Sequence, residues 1–237
     1  MNELELQNQN LKKLMQNQYN HLQGRHKNIY DVIIENKRLI DQLNEKIVQL
    51  EKLARYDILT NTPNLLHFKE HFIRMLAHAK RHHQKLALLF LDLDKFKLIN
   101  DNYGHQIGDL LLQQLSKRLT QTLRKNDFIA RIGGDEFAVI VQQLPSKDIA
   151  GLIATKILEQ LKEPFHLTNK ITLSVIASIG ISCYPDDALT YNELIKIADF
   201  AMYQAKKSHK QKYAFYQEDP QKNSHCANKL SALDKSD

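Results

Sequence analysis

Two adjacent carboxylates in a glycine-containing turn, Asp135 and Glu136, are the residues of this sequence that are best placed to do chemistry. They follow Gly133 and Gly134 inside the run from Asp127 to Val141, whose apolar and β-branched flanks predict a β-hairpin. Two glycines at a turn permit positive φ and let a bulky ligand approach the backbone. Successive strand residues point to opposite faces, so at most one of these carboxylates can face a given site. A tight hairpin with a solvated acidic tip is the alternative interpretation of this motif alone.

A second acidic pair follows an apolar run. The segment from Leu86 to Leu91 is too short and too uniformly apolar for a surface helix, so it predicts a buried strand of a central sheet. Asp92 and Asp94 come directly after it. A carboxylate at the end of a buried strand is costly unless positive charge meets it, and Lys95, Lys97 or a bound cation could supply that charge.

The segments around these motifs predict the elements that position them. A turn is predicted from Asn100 to His105, and amphipathic helices are predicted for Leu65 to Arg81, capped by Asn64, and for Gly108 to Arg124. The elements predicted after the hairpin are a helix from Ser146 to Leu161, a strand from Ile171 to Ser182, a helix from Leu194 to Lys207 and a strand from Tyr213 to Tyr216. This order predicts an α/β sandwich with a central mixed, largely antiparallel five-stranded sheet and flanking helices.

The segment before this domain has a heptad pattern. From Leu4 to Leu53 there is no proline, and most of the core positions of a heptad frame are apolar. The a positions are Asn8, Met15, Leu22, Ile29, Asn36, Leu43 and Leu50, and the d positions are Leu4, Leu11, Gln18, Arg25, Val32, Leu39, Lys46 and Leu53. Asn36 at an a position commonly favours two strands in one register, so we predict a parallel homodimeric coiled coil. A single amphipathic helix folded back on the domain is the alternative.

Length and composition exclude several classes of protein. Of the 237 residues, roughly 160 belong to the patterned region, enough to bury a core. No apolar run reaches the roughly 18 residues that span a bilayer, and the N-terminus lacks a signal-peptide core, so we expect a cytoplasmic protein. Two cysteines, Cys183 and Cys226, argue against a disulfide framework. The formal charge of +6 favours anionic partners, but nothing beyond that charge points to nucleic acid.

One group of histidines needs a separate interpretation. Four of them share a stripe of the predicted helix from Leu65 to Arg81 and the residue after it: His67, His71, His78 and His82. A histidine pair four residues apart can bind zinc, but no nearby carboxylate or cysteine completes a site. We therefore expect a solvated helix face and no metal there.

Taken together, the ordered motifs resemble the GGDEF family of bacterial diguanylate cyclases, which condense two GTP molecules into the second messenger cyclic di-GMP. The motifs appear as Asp57-Ile58-Leu59-Thr60 with Pro63-Asn64, as Asp92 to Asp101 with Gly104-His105 and Gly108-Asp109, as Arg131 to Phe137, and as Ala198-Asp199 with Ala201, Tyr203 and Ala205-Lys206. The resemblance implies a dimerisation and signalling helix at residues 1–55, a GGDEF catalytic domain at 56–217 and a disordered tail at 218–237.

The same resemblance implies the catalytic and metal-binding residues. Asp92, Asp135 and the backbone carbonyl of Leu93 would hold Mg²⁺, up to two ions per active site, with Mn²⁺ able to substitute. Asp135, with Glu136 beside it, would also act as the base for the 3′-hydroxyl, and Lys97 would offset charge on the phosphoryl group in transfer.

The substrate-binding positions are likewise implied by the resemblance. Asn100 and Asp109 would recognise the guanine edge, while the amides of the Lys95 to Lys97 turn would bind the β- and γ-phosphates with help from Lys206 and Lys210. The remaining implied positions are Phe96, His105, Gly133 and Gly134. The sequence departs from the family's usual arginines at Leu65-Leu66 and at His209-Lys210-Gln211, and a lysine lacks the two-pronged fork with which arginine binds phosphate.

A further site is implied by Arg124 and Asp127, whose spacing resembles the family's inhibitory product site. The sequence thus predicts a diguanylate cyclase that binds one GTP per subunit, works as a dimer through its N-terminal helix and is inhibited by its product. The alternative is a non-catalytic module that binds GTP or cyclic di-GMP and signals through its coiled coil.

Overall fold

The computed structural model describes residues 3–208 and 212–216. The chain divides into two compact units, Met1–Lys52 and Leu53–Asp237. Lys210 and the tail predicted at residues 218–237 lie outside the described residues. Within the described part of the chain, no helix combines the length and apolarity needed to cross a bilayer.

The first unit consists of most of α1 (Glu3–Arg55), which is one continuous helix. Apolar side chains at the predicted a positions remain open to solvent in the single chain, from 53% exposed at Leu22 to 64% at Leu50. A long helix with such an unburied apolar row has the surface that a coiled coil requires. The homodimer itself stays a prediction.

The second unit is built on a five-stranded sheet in the order β2-β3-β1-β6-β7. The strands are β1 (Leu86–Leu93), β2 (Phe128–Gly133), β3 (Glu136–Val141), β6 (Ala177–Tyr184) and β7 (Tyr213–Phe215), with β4 (Phe165–His166) and β5 (Thr172–Leu173) forming a separate two-stranded sheet. Only the β6–β7 pair in the large sheet is parallel. The predicted mixed, largely antiparallel sheet is therefore confirmed.

Helices cover both faces of this sheet. They are α2 (Leu65–His82), α3 (Phe96–Tyr103), α4 (His105–Thr122), α5 (Lys147–Lys162) and α6 (Tyr191–Lys207). Alternate residues of β1 join different cores: Leu89 and Leu91 pack with α4 and α5, whereas Leu88 and Phe90 pack with α2 and α6. Because β1 is buried on both faces, its sequence is uniformly apolar rather than alternating.

Several predicted element boundaries are wrong. Asn100–Tyr103 belong to α3 rather than to a turn, because Ile99 packs against the core and outweighs the turn preference of the neighbouring polar residues. The chain turns only at Gly104, whose φ of 84° lies in the region that favours glycine, and α4 then begins at once.

The predicted strand from Ile171 to Ser182 is also interrupted. Its first part pairs with β4 as β5, and β6 starts at Ala177. Between them, the Ile176 carbonyl accepts a hydrogen bond from the Asp94 amide, at 2.8 Å, instead of continuing a ladder. Helix α6 begins at Tyr191, earlier than predicted, because the side chain of Thr190 accepts a hydrogen bond from the Glu193 amide and caps it.

The prediction of a solvated histidine face is wrong for two of its four histidines. His71 stacks on Phe128 with ring centroids 4.0 Å apart, and His67 meets the same ring edge-on. Strand β2 covers this part of α2, and burial lowers the pKa of both histidines. His78 and His82 are exposed, as expected.

The contact between β6 and α6 generates a stability prediction. A Cβ at Gly180 would lie 1.9 Å from the Ala198 carbonyl oxygen and 2.2 Å from the Met202 amide nitrogen, which are backbone atoms of α6. We expect Gly180→Ala to destabilise the domain by about 3 kcal/mol, because the helix must move off the sheet. Gly133→Ala is the matched control, since its Cβ would meet nothing within 4 Å. Urea unfolding measures both, and equal stabilities would contradict the packing described here.

Candidate functional site

The site is organised around Asp92, near the end of β1. This residue is only 6% exposed, and its neighbours in the sheet are Glu136 on β3 and Ser178 on β6. Directly paired residues of antiparallel strands share a face, here the face that α6 covers. From α6, Lys206 places Nζ 2.6 Å from Asp92 Oδ1. That oxygen accepts no well-directed hydrogen bond within the described residues, so the ion pair is its compensation.

The environment of Asp92 perturbs its acidity. Burial raises the pKa of Asp92 to about 6, against the opposing effect of Lys206. The charges of Asp135 and Glu136 act in the same direction as burial. Glu136 is the partner of Asp92 in the sheet, and Asp135 precedes it in the hairpin turn. The structure thus gathers the acidic residues that the sequence identified from two separate motifs.

The hairpin tip differs from the prediction in one respect. Gly134 has a φ of 52°, and Asp135 still belongs to the turn, so only Glu136 is a strand residue. The register of β2 against β3 shifts between Arg131 and Gly133, which adds the extra turn residue. The opposite-face argument for successive strand residues therefore does not apply to this pair.

Arg131 fixes the tip, a role that the sequence reading did not assign. Its Nε and Nη2 donate to the Gly134 carbonyl at 2.9 and 2.7 Å, and its Nη1 donates to Asp57 Oδ1 at 2.8 Å. Asp57 also accepts from the amide and hydroxyl of Thr60. Although burial alone would raise the pKa of Asp57, the hydrogen bonds from Thr60 and Arg131 hold that pKa below its ordinary value. The Asp-x-x-Thr spacing was the available signal.

Asp94 is the other carboxylate that the sequence reading left without a role. Its Oδ1 accepts from the Ser178 hydroxyl and its Oδ2 from Lys212 Nζ, both at 2.8 Å. The next residue, Lys95, has a φ of 61° and begins the turn into α3. Asp94 therefore anchors that turn to β6 and to the start of β7.

Asn100 and Phe96, two of the predicted substrate-binding residues, come together between α3 and α4. Asn100 and Phe96 both face Gly108, next to Asp109: a Cβ at Gly108 would lie 1.9 Å from Asn100 Oδ1 and 3.2 Å from Phe96 Cζ. The Oδ1 atom is buried without a hydrogen-bond partner. A buried amide oxygen without a donor is unfavourable, so a ligand or a side-chain movement that supplied a donor would stabilise this site.

The remaining predicted residues have simpler surroundings. Lys97 and His105 are exposed on α3 and at the start of α4, and Gly133 is exposed beside the tip. Arg124 and Asp127 lie at the opposite end of β2 from the tip, in a turn where Asp127 Oδ2 accepts from the Arg124 amide at 3.1 Å. The structure thus brings the product-site pair together, apart from the acidic cluster.

The donor set can be tested against magnesium. Among the residues that the structure describes, no three or more side chains of His, Cys, Asp or Glu form a group that could hold a metal by themselves. Magnesium does not require such a cage, since it commonly binds one or two carboxylates together with substrate phosphates and water. Asp92, Asp135 and the Leu93 carbonyl fit that partial shell.

An open cavity of about 680 Å³ adjoins the acidic cluster. It lies between α3, the segment joining β5 to β6 and the end of α6. Its cationic lining consists of Lys95, Lys206 and Lys212, and Leu98, Tyr103 and Ile176 are among the other lining residues. Asp94 lines it as well, and two of these lysines are paired with carboxylates, Lys206 with Asp92 and Lys212 with Asp94. Lysine side chains at a cavity wall suit an anionic ligand such as a phosphate chain where they can exchange those partners.

Comparison with known proteins identifies the family. The sequence profile described as "Diguanylate cyclase, GGDEF domain" matches residues 54–212. The chain belongs to the GGDEF family. Diguanylate cyclase TpbB of Pseudomonas aeruginosa is 40% identical to this GGDEF protein over 166 residues, covering 70% of this chain and 38% of TpbB. The crystal structure of the TpbB GGDEF domain matches with a TM-score of 0.66 at 39% identity, covering 68% of this chain and 99% of the crystallised one.

Two other proteins are also similar to this chain. Cyclic di-GMP phosphodiesterase NbdA of P. aeruginosa is 40% identical over 175 residues, covering 73% of this chain and 22% of NbdA. The coiled coil and GGDEF domain of DgcB from Caulobacter crescentus, solved in complex with c-di-GMP, matches with a TM-score of 0.72 at 22% identity, covering 79% and 98% of the two chains, and shows the fold alone. The chain spans 22% of NbdA and 38% of TpbB, so it corresponds to a minor part of these curated relatives.

The raised pKa of Asp92 predicts a pH dependence of stability. Folding raises this pKa from 3.8 to about 6, so the folded protein keeps a proton that the unfolded chain has lost, and stability falls as pH rises through this window. We expect the wild type to lose on the order of 2 kcal/mol relative to Asp92→Asn between about pH 4 and about pH 7. Urea unfolding without divalent cations measures it.

The matched control is Asp148→Asn, on the exposed side of α5. Its stability at each pH gives the effect of replacing a carboxylate by an amide at the surface rather than at a buried site. Parallel stability curves for wild type and Asp92→Asn would show that Asp92 does not titrate in this window.

Proposed function

We propose that this chain is a diguanylate cyclase that condenses two GTP molecules into cyclic di-GMP and two pyrophosphates. The observation that carries the proposal is the burial of Asp92 beside Asp135, Glu136 and Lys206, next to a cationic cavity. A buried carboxylate with other carboxylates beside it is unfavourable for folding, and its position near a cavity lined by lysines supports a catalytic role. Membership of a family whose named relatives include diguanylate cyclases supports the same reaction.

The reaction forms two phosphodiester bonds. In each step the 3′-oxygen of one GTP bonds to the α-phosphorus of the other, and the bond from that phosphorus to the bridging oxygen of pyrophosphate breaks. Asp135 accepts the proton of the 3′-hydroxyl, and Lys97 offsets negative charge on the phosphoryl group in transfer. Mg²⁺ held by Asp92, Asp135 and the Leu93 carbonyl, or Mn²⁺ in its place, supplies charge neutralisation of the phosphates.

Each remaining site residue has a part in this proposal. Glu136, opposite Asp92 in the sheet, adds negative charge to the cation site. Lys206, together with Lys210, binds the phosphate chain, which passes the turn at Lys95 to Lys97. Gly133 and Gly134 let the nucleotide approach the hairpin backbone.

The guanine edge would be recognised between α3 and α4. Asp109 accepts hydrogen bonds from the N1 and N2 donors of guanine, whereas adenine presents an acceptor at N1. The unpartnered Oδ1 of Asn100 offers a further acceptor at the same place, and Phe96 and His105 border it. This arrangement supports selection of GTP over ATP.

The two-fold symmetry of the product requires two such sites to face each other, so the active form would be a homodimer with one GTP per subunit. The exposed apolar row of α1 supports the N-terminal helix as the dimerising element. A coiled coil would hold the two domains at an effective concentration on the order of mM.

Product inhibition would act through Arg124 and Asp127. The exposed guanidinium can clamp a phosphate or guanine of cyclic di-GMP, and the carboxylate can accept hydrogen bonds from guanine. Their shared turn at the far end of β2 supports a site distinct from the catalytic one.

A second candidate function is a non-catalytic module that binds GTP or cyclic di-GMP and signals through α1. The resemblance to NbdA, a protein named as a phosphodiesterase, favours keeping this candidate. Binding of GTP without any product would support the module and reject the cyclase.

The proposal is tested by incubating the full chain with GTP and Mg²⁺ and separating the nucleotides by chromatography. We expect cyclic di-GMP, and we expect Asp135→Ala to lower turnover at least ~100-fold, the scale for losing one preorganised charged group. The exposed Asp148→Ala serves as control and should keep the wild-type rate. A folded Asp135→Ala variant with near-normal synthesis would remove Asp135 from its assigned role.

The dimer proposal is tested by placing charges at a positions of the predicted coiled coil, which we call the seam. Leu43→Asp with Leu50→Asp should make specific activity fall on dilution, because free domains at μM concentration cannot replace the tether. Asn44→Asp with Val48→Asp adds the same charge away from the a and d positions and should have little effect. Light scattering reports the oligomeric state at each concentration. Full activity of the seam variant as a monomer would reject α1 as the dimeriser.

A further inference from the structure

The ion pair of Lys206 brings an ammonium group onto the carboxylate assigned to the metal. The Nζ atom is 2.6 Å from Asp92 Oδ1, and the Lys206 side chain is 34% exposed while that of Asp92 is 9% exposed. Lys206 belongs to the last turn of α6, and its ammonium also borders the cationic cavity. The carboxylate is therefore held in place, whereas the lysine has room to leave.

A neighbouring pair shows what a fixed ion pair looks like in this fold. Asp94, two residues along the chain, binds Lys212 at 2.8 Å and also accepts from the Ser178 hydroxyl, while its amide donates to the Ile176 carbonyl. Asp92 Oδ1 has no such directed hydrogen bond within the described residues. At Oδ1 the Asp92–Lys206 contact thus lacks directed bonds of the kind that hold the Asp94 carboxylate.

A divalent cation and the Lys206 ammonium compete for the same oxygen. Magnesium binds carboxylate oxygen at about 2.0–2.1 Å, closer than the ammonium, and the two cations repel each other. When the lysine is displaced, the nearest open space is the cavity that it shares with Lys95 and Lys212. An ammonium released there is available to a phosphate group.

We propose that Lys206 is an exchangeable counter-ion. Its ammonium neutralises Asp92 until a divalent cation binds Oδ1, and the displaced ammonium then binds a phosphate of the bound nucleotide. Metal binding and nucleotide binding are thereby coupled through one side chain. The nucleotide half of this proposal rests on the proposed function, whereas the metal half depends only on the Asp92–Lys206 contact.

This exchange predicts opposite effects of one substitution. Lys206→Met removes the competitor for Asp92, so the nucleotide-free protein should bind Mn²⁺ about tenfold more tightly. The same variant loses a phosphate ligand, so it should bind the non-reactive α,β-methylene analogue of GTP, with Mg²⁺ present, about tenfold more weakly. If Lys206 were needed only for folding, its loss would weaken the binding of both Mn²⁺ and the analogue. If it only bound phosphate, its loss would leave Mn²⁺ binding unchanged.

Both affinities are measured on the full chain. Mn²⁺ binding is followed by the electron paramagnetic resonance signal of free Mn²⁺, and analogue binding is followed by calorimetry. Asp92→Asn identifies the site, because it should abolish the tighter Mn²⁺ binding of Lys206→Met when the two changes are combined. Lys207→Met is the matched control: it removes a cation from the next position of α6, where the ammonium lies over the Tyr203 ring, and both affinities should change less than threefold.

Thermal unfolding first establishes that each variant is folded, and Lys206→Gln provides a second substitution. Equal Mn²⁺ binding by wild type and both Lys206 variants overturns the exchange. So does an equal gain in Mn²⁺ affinity on Lys207→Met, which would indicate general electrostatics rather than competition at one oxygen. A further outcome is that Lys206→Met shifts the Mn²⁺ and analogue affinities in opposite directions while the wild-type protein makes no cyclic di-GMP. That outcome would support the exchange and reject only the proposed catalytic function.

Discussion

The buried carboxylate of Asp92 is the constraint on which this domain's site depends. A charge taken out of water at the end of a central strand destabilises the fold unless other groups compensate it. Helix α6 supplies that compensation from one face, through the ion pair with Lys206. The placement is possible because β1 is the central strand and its even-numbered side chains face α2 and α6. The sheet order therefore determines where a carboxylate can be both buried and paired.

A second constraint fixes the hairpin above that carboxylate. Gly134 needs a left-handed backbone conformation, and its carbonyl is held by two nitrogens of Arg131. The same guanidinium binds Asp57, which lies just after the end of α1 and accepts hydrogen bonds from Thr60. Because arginine presents several donors in one rigid plane, a single side chain orients the tip relative to the segment that begins the domain. We therefore expect a displacement of Asp57 to move Arg131, and with it the hairpin tip that carries Asp135.

The sequence was informative where structure depends on local pattern and less so where it depends on distant partners. The hairpin and β1 were predictable because apolar periodicity and turn residues are adjacent in the chain. Helix α3 was missed because Asn100 to Asn102 favour turns locally, whereas the packing of Phe96 and Ile99 against the core favours the helix. The anchoring pairs Arg131–Asp57 and Lys212–Asp94 join residues 74 and 118 positions apart, and no local pattern encodes such contacts. The burial of His67 and His71 under β2 was hidden for the same reason.

Two carboxylates two residues apart, Asp92 and Asp94, each have a lysine partner, yet the fold treats them differently. The carboxylate of Asp94 accepts from the Ser178 hydroxyl as well as from Lys212, so two side-chain bonds would have to break before it could accept a new ligand. Asp92 relies on one flexible ammonium, and exchanging that partner leaves the backbone of the strand unchanged. Permanent anchoring and exchangeable pairing are thus separated by the number of additional bonds rather than by residue type. A domain that must stay folded before its ligands arrive needs both, because the anchored pair holds the turn in position while the other pair keeps a buried charge neutral and open to exchange.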